Sequence, residues 1–468
     1  MLNIFQTGSK IERGTRRLTK ARVVAVLAVA SIGISIATSQ SPETDTSASG
    51  AQAPTVAADE IQYLIFGANI EPPLLDATKT AEMVAPVFYE YIDARVAEIL
   101  QKVGATGDGT KRQLGFMIIL PVWLWNSGSG QNSASIDEFI KQAFEVAKQR
   151  NMAIYFSIDS NYGTPPNLSN WYDPSAPGYN PDNRNNVEWT DWEGTPTKAR
   201  YSLQASGAKL PPVMCYNSPR ILTESAYLAS QIVAPAILQG IDNLNSSGKE
   251  YLFAGITISM ELSLDDYSVI DKIDNNLANM MEKDGAVKGR LGYCALTNLG
   301  YSKSTPPADY ADALAKVNQA YAAYWAEQLV KAGLSKDKLY GHVAAGAEGA
   351  VLQYTNAPIW TAFNDYSRPG WTTYMVGPIA DNLDALYEAL AKYGNPHWAS
   401  TEASPTSLTG KPLDPEAYLA WHYNYGATVV MINSGDPSSG GQVIGKDIWS
   451  SKSIAAYQKF LSGETLQG

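Results

Sequence analysis

The sequence predicts an α/β fold, a (β/α)8 barrel of the TIM class with long strand-to-helix loops and an irregular fifth crossover. Three observations carry this. Eight apolar, strand-like segments recur between residues 61 and 434. Helical stripes separate most of them. No glycine-rich phosphate loop follows the first strand, where "GANIEPPLLD" stands instead. Strands alternating with helices build a parallel sheet, and eight such units are the number that closes into a barrel. An open doubly wound sheet is the competing architecture.

The elements follow in order. "IQYLIFGANI" (61–70) reads as the first strand, and Val84, Phe88, Ile92, Val96 and Ile99 then repeat at helical spacing. "QLGFMIILPVW" (113–123) is the second strand. Ser135 and Glu138 have the spacing of a capping box opening a helix that carries Phe139, Ala143 and Ala147. "MAIYFSID" (152–159) and "YLFAGITISME" (251–261) are the third and fourth strands, and "LYGHVAA" (339–345) the fifth. Before the fifth, Tyr310, Leu314, Val317, Tyr321 and Trp325 form a helical stripe. "WTTYMVG" (371–377) reads as the sixth strand, with "PIWTAFN" a rival for that role, and no full helix is legible between the fifth and sixth. A helix on Ile379, Leu383, Leu386 and Leu390 closes at Gly394 and Pro396. "HWASTE" (397–402) and "ATVVMINS" (427–434) are the last strands, and Ile454, Tyr457 and Leu461 mark a final helix. The long stretches 160–217 and 262–307 become strand-to-helix loops, on the face where barrels carry their sites.

Three segments are expected: a signal peptide over 1–41, a flexible linker over 42–58 and the barrel over 59–468. Arg13, Arg16, Arg17, Lys20 and Arg22 precede an uncharged apolar run from Val23 to Ala37, with small residues at "SIATSQS". That is the layout of an export signal, and the run is short for a membrane span. The pattern predicts an exported chain, periplasmic or extracellular, with no stable membrane insertion after cleavage. "TRRLTK" loosely matches a twin-arginine signal, so the export route stays open. Residues 1–38 hold six Lys/Arg and one Glu, which leaves 29 basic against 45 acidic residues, a balance of −16. Such a surface repels nucleic acid and anionic lipid. Cys215 and Cys294 are the only cysteines; a bridge between their loops and a pair of free thiols both stand open. The three histidines are scattered, so neither a structural metal nor a cofactor is expected.

The chemistry lies at two strand ends. In "AGITISMELSLDD" an alternating strand runs out onto Glu261, and "HWASTEASP" ends the seventh strand on Glu402. In a barrel those ends face one another across the mouth. Two carboxyl groups so placed can cut a glycosidic bond, one giving a proton to the leaving oxygen while the other attacks the anomeric carbon. In this the chain resembles the clan A glycoside hydrolases, whose catalytic glutamates end strands four and seven. The resemblance covers residues 60–465 as architecture and Glu261 and Glu402 as specific positions. It implies retention, with Glu261 the acid/base and Glu402 the nucleophile. Members usually carry Asn just before the acid/base, whereas Met260 stands here; Asn298 and Asn364 are candidate replacements.

A carbohydrate, oligo- or polysaccharide, is the expected partner. Sugar rings suit flat aromatic walls with polar rims. The candidate substrate-binding residues are Asp159, Trp123, Trp125, Asn217, Tyr293, Asn298, Glu348, Tyr374 and Trp398. His342 and His397 lie on strands, in the core or lining the site. Two other readings share these residues: a carbohydrate-binding barrel without catalysis, and a transglycosylase using the same two carboxylates. No G-x-S-x-G elbow supports a serine nucleophile.

Overall fold

A computed structural model describes residues 60–72, 80–125, 133–160, 175, 179–201, 209–210, 212–259, 261–273, 275–344, 355–373, 379–404, 414–434 and 448–467. The expected signal and linker lie outside them. Eight strands are parallel: β1 (Gln62–Ile70), β2 (Arg112–Leu120), β3 (Ala153–Ile158), β4 (Phe253–Ile258), β5 (halves Leu339–Tyr340 and Val343–Ala344), β6 (Gly370–Thr372), β7 (Trp398–Ala403) and β8 (Ala427–Asn433). Each expected strand is present, although of the sixth, expected over 371–377, residues 374–377 lie outside the described residues. The helices that pack on the barrel are α1 (Ala81–Val103), α2 (Ser133–Arg150), α3 (Pro219–Ser246), α4 (Tyr310–Lys331), α5 (Ile379–Lys392), α6 (Pro415–Asn424) and α7 (Ser451–Leu461), and shorter helices, Ile270–Ile273, Asn275–Lys283 and Tyr293–Asn298, lie in the loop after β4.

The sheet closes on itself through β5. Its first half pairs with β4, Leu339 beside Ile256, while its second half pairs with β6, Val343 beside Trp371. The Gly341 amide also donates to the Arg368 carbonyl, and the Arg368 amide donates to that of Leu339. One strand bonded on both sides turns a curled row into a barrel with no free edge. Among the described residues the crossover from β5 to β6 holds only the 3-10 turn Ile359–Ala362, as the missing stripe there predicts. "PIWTAFN" supplies that turn and not the sixth strand.

Two separate cores stabilise the barrel. Tyr63, Ile65, Met117, Ile119, Ala153, Tyr155, Tyr340, Val429 and Met431 fill the lumen. Their polar ends are paired, Tyr155 with Thr257 and Tyr340 with Thr428, as buried hydroxyls require. Outside, Val84, Phe88, Ile92, Val96 and Ile99 of α1 lie against strand residues such as Phe66 and Phe116. The apolar helix α3, half buried, packs between α2 and α4.

Two local expectations are corrected. Helix α2 starts at Ser133, so Ser135 lies inside the helix, and Glu138 bonds Lys141 and Gln142 one turn on. The second strand stops at Leu120, because Pro121 cannot donate to the ladder; Val122–Trp125 form a single helical turn.

The β5–β6 seam requires a missing side chain. A Cβ on Gly370 would lie 2.1 Å from the Gly341 carbonyl oxygen and 2.8 Å from Thr401 Cγ2. Gly370→Ala gains ~0.4–1 kcal/mol through the unfolded chain, less than the ~1–3 kcal/mol cost of overpacking against a fixed backbone. The urea midpoint is therefore expected to fall; an unchanged midpoint contradicts this seam.

Candidate active site

Strand β4 leaves the barrel through a contorted backbone. Ser259 and Glu261 both adopt left-handed φ, 60° and 43°. Each such residue costs on the order of 1 kcal/mol or more, and strain of this kind persists only where surrounding structure enforces it. Its consequence is positional: the Glu261 carboxylate turns inward over the lumen. On β7 a register shift follows Ser400 on both sides of the strand. Trp398 and Ser400 face the outer helices, and simple alternation would send Glu402 there too. The shift brings it inside instead.

Glu261, His342 and Glu402 then converge, with one oxygen or nitrogen from each lying within 4.8 Å of the others. Thr372 stands between them. Its hydroxyl donates to Glu261 Oε1 at 2.9 Å and meets His342 Nε2 at 2.8 Å. His342 Nε2 lies 3.7 Å from Glu402 Oε2, and Asn433 Nδ2 donates to Glu402 Oε1 at 3.0 Å. Because Thr372 has one hydrogen and gives it to Glu261, His342 must donate through Nε2. Its buried Nδ1 finds no partner among the described residues.

Electrostatics separate the two acids. Burial first, and then the Glu402 charge, push Glu261 up to about 7; the Thr372 hydroxyl and the buried Arg200 pull the other way. Two carboxylates this close resist ionising together. Burial pushes His342 down to about 3, which keeps the imidazole neutral. The trio has the ligand types of a cation site. Metal-binding imidazoles, however, nearly always hand their other N–H to an acceptor, and the described residues give His342 Nδ1 none.

The structure brings together the predicted Glu261 and Glu402. Asp159 is buried just past the end of β3. Other candidates stand elsewhere. Trp123 is fully buried against the helices, its Nε1 donating to the Ser160 carbonyl. Trp398 is equally buried at the start of β7, edge-on to Trp371 and donating to the Tyr425 carbonyl. Both are corrections: these rings stabilise the outer core and form no sugar wall. Asn298 donates to Asn217 and Cys215, and Asn217 donates to the Ala295 carbonyl, so these amides tie loop to loop. Asn364 caps its own turn through Tyr366 and Ser367. Tyr293 packs half-buried on Trp192 and Tyr310. Glu348, Tyr374 and the side chain of Trp125 lie outside the described residues. Sequence reasoning missed Thr372, Asn433 and Arg200, and gave His342 no catalytic part.

The loops after β3 and β4 are joined without a bridge. Cys215 and Cys294 are free, buried thiols. Beside them Glu188, fully buried, accepts from the Cys294 and Ala295 amides. Its carboxyl is pushed up to about 8 by burial.

No family model matches the chain, and no curated protein does. Among solved structures it is similar to a β-galactosidase from the psychrophilic Marinomonas ef1, at TM-score 0.44 and 10% identity over 86% of this chain. The chain spans 59% of that protein's length. It is similar also to a GH5-4 broad-specificity endoglucanase from an uncultured bacterium, at TM-score 0.41 and 11% identity over 86% of this chain and 94% of the other. An endo-1,4-β-mannanase from Rhizomucor miehei gives TM-score 0.40 and 11% identity over 88% and 99%. At such identities and scores, what those proteins act on does not transfer to this chain.

The buried acids set a pH dependence of stability. Folding raises Glu261 and Glu188 above their ordinary 4.5, so their contribution is full below that pH and is lost as pH rises through about 7 and about 8. His342, lowered by folding, acts at the other end: stability is lost as pH falls from 6.5 toward 3. Unfolding free energies from urea titrations at pH 5 and pH 9 are expected to differ by on the order of a few kcal/mol, since each tenfold change in proton affinity is worth ~1.4 kcal/mol. Glu188→Gln should remove a large part of that alkaline loss. An unchanged slope would show Glu188 to be ionised in the folded protein.

Proposed function

We propose that this chain is an exported glycoside hydrolase cleaving O-glycosidic bonds with retention, Glu261 being the acid/base and Glu402 the nucleophile. The observation that carries the reading is the approach of their oxygens to within 4.8 Å. Inverting enzymes hold their carboxyl groups ~6.5–9.5 Å apart to admit a water, while retaining enzymes hold them at ~5–5.5 Å.

The roles follow from the two environments. Glu261, pushed up to about 7, keeps its proton in neutral solution and gives it to the leaving oxygen. Glu402, held by Asn433 at Oε1, presents Oε2 to the anomeric carbon and forms the glycosyl ester. Once the leaving group departs, Glu261 is a carboxylate. It then takes a proton from the water that opens the ester, and both groups return to their starting states. The sugar's 2-hydroxyl contact, usual in the resembled enzymes from an Asn at the Met260 position, falls to another group. The Asn433 amide, which donates to Glu402, is an amide the described site offers for it.

Purified protein on a panel of aryl glycosides and polysaccharides tests the reading. Glu261→Gln and Glu402→Gln are each expected to lower kcat/KM by ~10²–10⁴-fold, and proton NMR of the first product should show the substrate's own anomer. Wild-type activity that survives both changes rejects the assignment, and the opposite anomer rejects retention. A transglycosylase would share both losses and differ only in yielding a sugar-transfer product. In the wild type, kcat/KM should fall as pH rises past about 7, where Glu261 loses the proton it must give. Activity still climbing at pH 9 contradicts its role as acid.

A further inference from the structure

Glu261 has two carboxyl oxygens, and the groups around it decide which of them carries the catalytic proton. From β6, Thr372 donates to Oε1. From β5, His342 Nε2 meets the other side of the same hydroxyl. Among the described residues, the charges that act on Glu261 are Glu402 on β7 and Arg200 in the loop after β3. In the barrel ladder Thr372 stands directly between Ala344 of β5 and Glu402 of β7, so its side chain has a fixed base.

We propose that Thr372 is a positioning residue that occupies Oε1 of Glu261 and so confines the transferable proton to Oε2. The inference rests on the assignment of Glu261 as acid/base. A hydroxyl has one hydrogen and can accept through its lone pairs. The neutral His342, with its proton on Nε2, fills the acceptor side of Thr372 and forces the Thr372 hydrogen toward Glu261. Were His342 to carry its proton on Nδ1, that buried N–H would lack an acceptor among the described residues, which disfavours that tautomer. The chain Nε2–H to Oγ1–H to Oε1 therefore has one direction. His342 holds no extra proton and gives none; its part is to set the polarity of the chain.

No proton passes along this chain during turnover. In the first half-reaction the Oε2–H bond breaks and the proton goes to the departing glycosidic oxygen, leaving Glu261 a carboxylate still bonded to Thr372 through Oε1. In the second half-reaction water gives its proton back to Oε2 while its oxygen bonds the anomeric carbon and the Glu402 ester bond breaks. Oε1 keeps the same partner throughout, so the geometry of the acid is the same in both steps.

The arrangement predicts a dependence on the leaving group. Thr372→Val, close in shape but without the hydroxyl, should slow glycosides with poor alkyl leaving groups, which need protonation, by about 10–10²-fold. Dinitrophenyl glycosides, which leave without a proton, should change by less than about twofold. Losing a hydrogen bond to the carboxylate raises the Glu261 pKa, so the alkaline limb of kcat/KM should move to higher pH. Thr372→Ser should keep wild-type values for both substrates and the limb, and its thermal midpoint beside that of Thr372→Val reports folding. Thr372→Ala repeats the test should the valine variant fail to fold. Equal loss on both leaving groups, or an unmoved limb in a folded variant, overturns the proposal while Glu261→Gln remains inactive. Full activity of Glu261→Gln instead overturns the acid/base reading beneath it.

Discussion

Two carboxyl groups held within 4.8 Å of one another, largely out of water, cannot both carry charge without a large cost. That constraint organises the mouth of the barrel. One group must keep its proton near neutral pH, and the surroundings choose which. Glu402 receives the Asn433 amide, while the burial that pushes Glu261 up is offset only in part by the Thr372 hydroxyl and Arg200. Hydrogen bonds favour the ionised form and burial disfavours it, so the charge settles on Glu402 and the proton on Glu261.

The barrel supplies the rigidity that such closeness needs. Both acids project from strands bonded on two sides, and closure runs through β5, whose halves join β4 to β6. Thr372 and His342 come from the two strands at that seam. A loose seam would therefore move the groups that touch Glu261 before it disturbed the rest of the fold. The strained backbone at Ser259 and Glu261 fits the same picture, because strain is tolerated where packing fixes the chain around it.

Much of this was legible in the sequence. Strand segments and helix stripes follow from periodicities of two and 3.6, and the eight strands stand where alternation placed them. Glu261 was legible because the alternating strand that places Thr257 beside Tyr155 runs out onto it, whereas the left-handed backbone at Ser259 and Glu261 that turns its carboxylate inward was not. Glu402 was placed by its position at a strand end, although alternation from Trp398 would have turned it outward; only the register shift after Ser400 rescues it. Trp123 and Trp398 misled for different reasons. Pro121 ends β2 early and puts Trp123 on a helical turn packed in the outer core, and Trp398 opens β7, at the end of the strand away from Glu402. Thr372 stayed hidden inside an apparent strand, 371–377, of which the described strand takes in only Trp371 and Thr372. Arg200 lay in a long loop whose path no local pattern specifies.

The sharing of one proton between the two acids is best tested by carbon-13 NMR titration of the glutamate carboxyl carbons, assigned with the Gln variants at positions 261 and 402. The account predicts that Glu261 titrates near 7 in the wild-type protein and moves down when Glu402 is replaced by Gln, while staying above the ordinary glutamate value because its burial remains. Two independent titrations near 4.5, with Glu261 unmoved by the loss of its neighbour's charge, would contradict it.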